Sequence, residues 1–152
     1  MEQHCPVCNA VLPQGKTCRD LYNDLAFYTL PHPDHDLFIH QYIVDAYNAQ
    51  HAQRNGKTVA LAAPLIGLYL FCEKRFTGKQ VQGAHMQLGN EMKKFPNFEP
   101  PVQKATLTVA DVLAAPPGAE RDQAIKDWAC AVWQPWKLQE TAIRVWLAEH
   151  AF

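Results

Sequence analysis

Apolar residues recur every three or four positions along most of this chain, and they rarely alternate. That spacing marks helices with one buried face, not half-buried strands. Residues 1–16 are the exception, because Pro6, Pro13 and Gly15 interrupt any period and the segment reads as an irregular knuckle. Thr17-Cys18-Arg19-Asp20 then fits a reciprocal cap, with Thr17 as N-cap and Asp20 answering it three residues on. A helix from about Cys18 to Leu30 follows. The turn PHPDHD (Pro31 to Asp36) offers Asp34 as N-cap for a second helix, from about His35 to Ala52. Its expected buried face carries Leu37, His40, Ile43, Val44, Tyr47 and His51.

Asn55-Gly56 breaks the pattern before a third helix, Thr58 to Phe76, which is apolar on most sides and contains Pro64. Thr77 caps a fourth helix to about Lys94, weakened by Gly78, Gly83 and Gly89. Phe95 to Thr106 reads as loop. Leu107-Thr108-Val109-Ala110-Asp111-Val112 is a strong helix start, with Thr108 capping, Asp111 answering and Leu107 placed to staple onto Val112. That helix stops at Pro116-Pro117-Gly118. A last helical region, Ala119 to Glu149, meets Pro135 and is either kinked there or split in two. Trp128, Trp133, Trp136 and Trp146 line it as core residues. The pattern therefore predicts an all-α fold: a compact bundle of five to six helices in one domain over 1–152. Residues 1–18 would form a metal-binding knuckle packed on the first helical hairpin.

Composition supports a globular core, since 48% of residues are hydrophobic and 19% charged. A net charge of -1 argues against a nucleic-acid partner, and residues 1–19 offer only Lys16 and Arg19 as basic groups. The longest apolar run, Val59 to Cys72, is shorter than the ~20 residues a membrane span needs. No basic segment followed by an apolar one opens the chain, so the expected location is the cytoplasm.

Five cysteines are an odd number, which fits metal or redox chemistry in a reducing compartment better than a disulfide framework. Cys72 and Cys130 sit in apolar surroundings and read as small hydrophobes. Cys5-Pro6-Val7-Cys8 can grip one ion from a tight turn, and Cys18 adds a third thiol in the first turn of a capped helix. The helix dipole there is expected to favour the Cys18 thiolate. No strand pattern precedes the Cys-x-x-Cys pair, which argues against a thioredoxin-type redox motif.

The fourth ligand is a question of geometry. If the first two helices form an antiparallel hairpin about residues 31–35, position 18 reflects onto about position 48. His51 lies one turn away on the expected buried face. His40 lies eleven residues from His51, roughly 16 Å along the helix, so the two cannot share an ion. His51 is thus the favoured fourth ligand, His4 the runner-up and His40 the outsider. Asp45 or Tyr47 could hold the second nitrogen of one of these histidines. His40 otherwise reads as a satisfied core histidine, or as part of a second polar site with Asp24, Tyr22 or Tyr47. His32 and His35 are expected to be solvated.

These motifs resemble those of an uncharacterised bacterial family of unknown function. Its pattern is CPxCG, a third cysteine opening a helix, VDAYxxQH, LTVADVL and a Trp-rich terminal helix. This chain carries CPVCN (Cys5 to Asn9), Cys18, VDAYNAQH (Val44 to His51), LTVADVL (Leu107 to Leu113) and WACAVWQPW (Trp128 to Trp136). The resemblance implies a small helical domain with a cysteine-based metal site, and marks Cys5, Cys8, Cys18 and His51 together with Asp45, Tyr47 and Gln50. It implies no activity. The chain departs from the pattern at Asn9, where glycine is usual, and at Pro64. It departs again at Gln139-Glu140, where similar chains carry histidines on the last helix.

Two functions follow as expectations. The first is a zinc-stabilised, non-enzymatic helical protein with a Cys3His site that serves a protein partner. Zinc suits a tetrahedral Cys3His set best, although thiolates also hold iron. The second is a metal-dependent hydrolase or thiol-linked transferase using His40, Asp45, Tyr47 and perhaps Asp24 or His51 around an ion with an open position. A nucleic-acid-binding zinc knuckle ranks below both.

Overall fold

A computed structural model of the chain describes residues 2–52 and 58–152. The expected break at Asn55-Gly56 lies outside the described residues. The fold is all-α apart from one miniature hairpin, β1 (Gln3–His4) against β2 (Val11–Leu12), antiparallel with Gln3 opposite Leu12. The helices are α1 (Cys18–Thr29), α2 (Ile39–Gln50), α3 (Thr58–Glu73), α4 (Gly78–Leu88), α5 (Val109–Ala114), α6 (Ala119–Trp136) and α7 (Glu140–Glu149). Gly89–Lys94 and Lys137–Gln139 are short 3-10 segments.

The knuckle is more regular than the sequence pattern predicts. The Cys5–Cys8 turn sits between the two strands, closed by the Cys5 N–H donating to Ala10 O and the Asn9 N–H to Cys5 O, both at 2.9 Å. Asn9 turns the chain with φ of 69°. Glycine is at ease in that left-handed conformation, and asparagine is among the side chains that best tolerate it.

Capping boxes form where the sequence places them, at Thr17/Asp20 and Thr108/Asp111, and the Thr77 cap gains a reciprocal partner in Gln80. The start of α2 differs from expectation. Asp34 Oδ1 accepts from the Leu37 N–H at 2.9 Å, so it caps a turn instead of the helix. Phe38 then adopts φ of 45°, and α2 begins only at Ile39. The reason is tertiary: the Gly78 N–H at the start of α4 donates to Leu37 O at 2.8 Å. A Cβ on Gly78 would collide with this backbone, lying 2.6 Å from Leu37 O.

α3 is apolar on nearly every side and forms the centre of the bundle with α2 and α6. Pro64 sits within it without ending it. Pro135 lies in the last turn of α6, and the chain passes through one 3-10 turn into α7, so the terminal region is two helices. Trp128 and Trp133 are fully buried, and Trp136 and Trp146 nearly so. No helix among the described residues is long and apolar enough to cross a membrane.

Candidate metal centre

The knuckle hairpin, the start of α1 and the end of α2 meet at one point. The hairpin turn delivers Cys5 and Cys8, the Thr17 cap delivers Cys18, and His51 follows directly after α2. One ligand atom from each of the four lies within 4.8 Å of all the others. Cys8 Sγ is 3.6 Å from Cys18 Sγ, and His51 Nε2 is 3.3 Å from Cys18 Sγ and 3.8 Å from Cys5 Sγ. A tetrahedral ion with metal–sulfur bonds of about 2.3 Å and metal–nitrogen bonds of about 2.0 Å needs edges of roughly 3.6–3.8 Å between its ligands. The observed spacings bracket that value, so the four side chains can hold a metal ion. The three cysteines are buried and His51 is half-buried.

His51 is oriented for this role. Its Nδ1–H donates to the Tyr47 backbone carbonyl at 2.8 Å, which leaves the Nε2 lone pair facing the sulfurs. Neither the Tyr47 hydroxyl nor Asp45 supplies that contact. The Tyr47 ring instead stacks on His51 with centroids 4.1 Å apart, and Tyr22 lies against Tyr47 at 4.4 Å with the rings tilted by 33°. The Arg19 guanidinium lies over both tyrosines, at 5.1 Å and 5.7 Å from the ring centroids. The guanidinium thus caps the aromatic stack that leads to His51. The sequence signal for Arg19 was its place next to Cys18; the stack itself depends on two helices packing.

The thiol chemistry differs from the expectation for Cys18. A hydrogen bond from Cys18 brings the Cys8 thiol down to about 4, against the opposing effect of burial. Cys18 itself is pushed up, first by that shared hydrogen bond with Cys8, then by burial and the charge of Cys8. A helix terminus carries about half a charge, and a full charge on the adjacent sulfur outweighs it. For His51, burial favours the neutral ring, but hydrogen bonds to Cys8 and the Tyr47 carbonyl raise it overall. Ionising the second and third thiols so close to the first requires a compensating cation.

The other candidates go elsewhere. His4 is exposed and pairs with Glu2, its Nε2 3.4 Å from the carboxylate. The Thr29 hydroxyl donates to Ala26 O, so His40 donates from Nδ1 to Thr29 Oγ1 at 2.9 Å, and burial lowers its pKa. Asp24 pairs with Lys16 at 2.9 Å. Asp45 is buried against Gly67 of α3, and its two oxygens accept from Gln41 Nε2 at 3.2 Å each. His40, Asp45 and Asp24 thus face separate partners and form no second polar site.

His32 is a correction. It is not solvated: its Nε2 donates to Asp122 at 2.8 Å, while Nδ1 accepts from the Asp34 N–H at 3.1 Å. Asp122 also accepts from the Tyr28 hydroxyl at 2.7 Å, so this triad ties the α1–α2 turn to α6. Gln50, marked by the resemblance but given no task, bridges three elements. Its Nε2 donates to Leu107 O at 2.8 Å, and its Oε1 accepts from Trp128 Nε1 at 3.0 Å.

A family model described as "Family of unknown function (DUF5946)" matches residues 3–137, a span that includes all four ligand positions. The chain belongs to this family. No curated protein and no solved structure matches the chain.

Proposed function

Taking the chain as a member of that family, we propose that it is a zinc protein with a closed, structural Cys3His site formed by Cys5, Cys8, Cys18 and His51. One observation carries the reading: four ligand atoms of the types zinc prefers converge within 4.8 Å at a largely buried point. Zinc is favoured over iron by the mixed thiolate and imidazole set. The ion would lock the knuckle, residues 1–18, onto the hairpin of α1 and α2, so that 1–152 behaves as one folding unit. A four-ligand ion leaves no position for an activated water, which favours a non-enzymatic accessory role for a protein partner in the cytoplasm. The clefts that flank Cys8 are lined by residues such as Val7, Pro101, Val102 and Lys104 and offer no free acid–base pair. Asp111, at the edge of one of them, is engaged in its capping box.

Elemental analysis of purified protein tests the reading, with wild type beside Cys18→Ser and His51→Ala. The expected result is one zinc per wild-type chain and substoichiometric zinc in both variants. Cobalt substitution should give the visible spectrum of a tetrahedral thiolate site. Wild-type protein that binds no metal would overturn the proposal. Full zinc retention in His51→Ala would remove His51 from the ligand set and open a position for solvent, and the metal-dependent hydrolase or transferase would then lead.

A further inference from the structure

Two sulfurs of the Cys3His cluster are in direct contact although they belong to different elements. Cys8 rides on the hairpin turn and Cys18 is the first residue of α1, and their Sγ atoms are 3.6 Å apart. A disulfide needs about 2.0 Å, so the pair must close by about 1.6 Å. Val7 and Asn9, on either side of Cys8, are exposed, so the turn can shift without disturbing the core. Among the described residues no carboxylate lies within hydrogen-bonding reach of either sulfur to repel a thiolate. The three thiols of the cluster are buried, so attack on them depends on approach through a cleft. Cys8 is the ligand that borders such space. It forms part of the wall of two clefts, one beside Pro101 and Val102 and the other beside Asn9 and Thr106, and neither Cys5 nor Cys18 lines either of them. The first cleft encloses about 110 Å³, room for several water-sized molecules and so for hydrogen peroxide.

With the zinc site above as premise, we propose that hydrogen peroxide joins Cys8 to Cys18 and expels the ion, a reversible switch that unclamps α2 from the knuckle. The Cys8 thiolate attacks one oxygen of peroxide. The O–O bond breaks, hydroxide leaves and takes up a proton as water, and Cys8 becomes a sulfenic acid. The Cys18 thiolate then attacks the sulfenic sulfur. The S–S bond forms, the S–O bond breaks, and hydroxide leaves and takes up a proton as a second water. Two electrons pass from the sulfur pair to peroxide, and zinc departs as the divalent ion. Cys5 and His51 remain as two ligands on separate elements, too few to hold it. The loaded ion ties the knuckle and α1 to the end of α2 through His51. The disulfide ties residue 8 to residue 18 alone, so His51 and the end of α2 come free. A small-molecule dithiol reverses the change by exchange, and zinc rebinds.

Zinc content is measured before any oxidant is added. A chain without zinc overturns the metal site and the switch with it. The loaded, full-length protein is then treated with a small excess of hydrogen peroxide. A zinc-binding dye follows release of the ion, and mass spectrometry without reduction maps the cysteines. The expected result is one zinc released per disulfide, on a peptide that links Cys8 to Cys18 and is lighter by two hydrogens. Dithiothreitol with added zinc should restore the starting state. Ala105 lines both clefts and is no ligand. Ala105→Phe should therefore keep its zinc and its circular dichroism but release zinc about fivefold more slowly under peroxide. In zinc-loaded protein the switch alone fails if peroxide leaves the ion bound, if the link formed is Cys5 to Cys8, or if the sulfurs reach sulfinic acid without a link. Release from Ala105→Phe at the wild-type rate overturns the approach through the clefts.

Discussion

Gly67 and Asp45 make a contact whose energetic consequence changes sign with its partner. A Cβ on Gly67 would overlap the Asp45 carboxylate and lie 3.3 Å from the Asp45 Cβ. The carboxylate cannot swing away easily, because Asp45 is 1% exposed and both oxygens are held by Gln41. Overpacking of this kind costs about 1–3 kcal/mol, and two constrained groups place it near the upper end. Against that, alanine gains about 1 kcal/mol over glycine in a helix interior. Gly67→Ala should therefore destabilise the protein by about 2 kcal/mol, or roughly 4–8 °C in Tm. In an Asp45→Ala background the carboxylate is gone. The residual 3.3 Å approach is tight but tolerable, so the same change should be close to neutral. The coupling between the two sites is then about 2 kcal/mol. Urea unfolding followed by tryptophan fluorescence measures it, because Trp128 and Trp133 lie in the shared core. Equal losses from Gly67→Ala in both backgrounds, or no loss in the wild-type background, would refute the argument.

Other consequences follow from the same network of contacts. Burial raises Asp45 well above its ordinary value, with the Gln41 hydrogen bond only partly opposing it. The folded chain therefore holds this proton more tightly than the unfolded one, and stability from this group is complete below about pH 4 and declines as pH rises toward the folded value. Asp45→Asn should consequently gain Tm relative to wild type between pH 5 and pH 7, on the order of the trend above; a difference that is flat with pH would count against it. Gln50→Ala leaves the buried Trp128 N–H without its acceptor and should cost about 2–3 kcal/mol, measured by the same unfolding assay. A loss below about 0.5 kcal/mol would mean that Gln50 is replaceable there. If the proposed Cys3His site is loaded, chelation should lower Tm and free three thiols to a colorimetric thiol reagent, whereas thiols that react equally before and after chelation would show that no metal shields them. Asp122→Asn keeps the shape of the triad with Tyr28 and His32 but removes its charge, and should destabilise by about 1 kcal/mol; an unchanged Tm would dismiss that pairing.

Local rules explain why so much is legible in the sequence alone. Thr17, Thr77 and Thr108 begin helices because capping is decided within four residues, and no distant contact is needed. The pairing of Cys18 with His51 was reachable because two helices joined by a short turn must run back antiparallel, which turns sequence separation into distance. The cluster of Cys5, Cys8, Cys18 and His51 is thus legible from spacing, residue chemistry and one hairpin.

What stayed hidden depended on contacts between segments far apart in the chain. α2 begins at Ile39 because Gly78, forty residues away, binds the turn before it. His32 is paired because α6 brings Asp122 to it, ninety positions on. The chain's own periodicity and caps determined its helices and most of its Cys3His cluster, because those depend on neighbours along the backbone. Which buried acid, histidine and thiol met which partner was decided by packing, because interaction energies depend on distances that only the folded core sets.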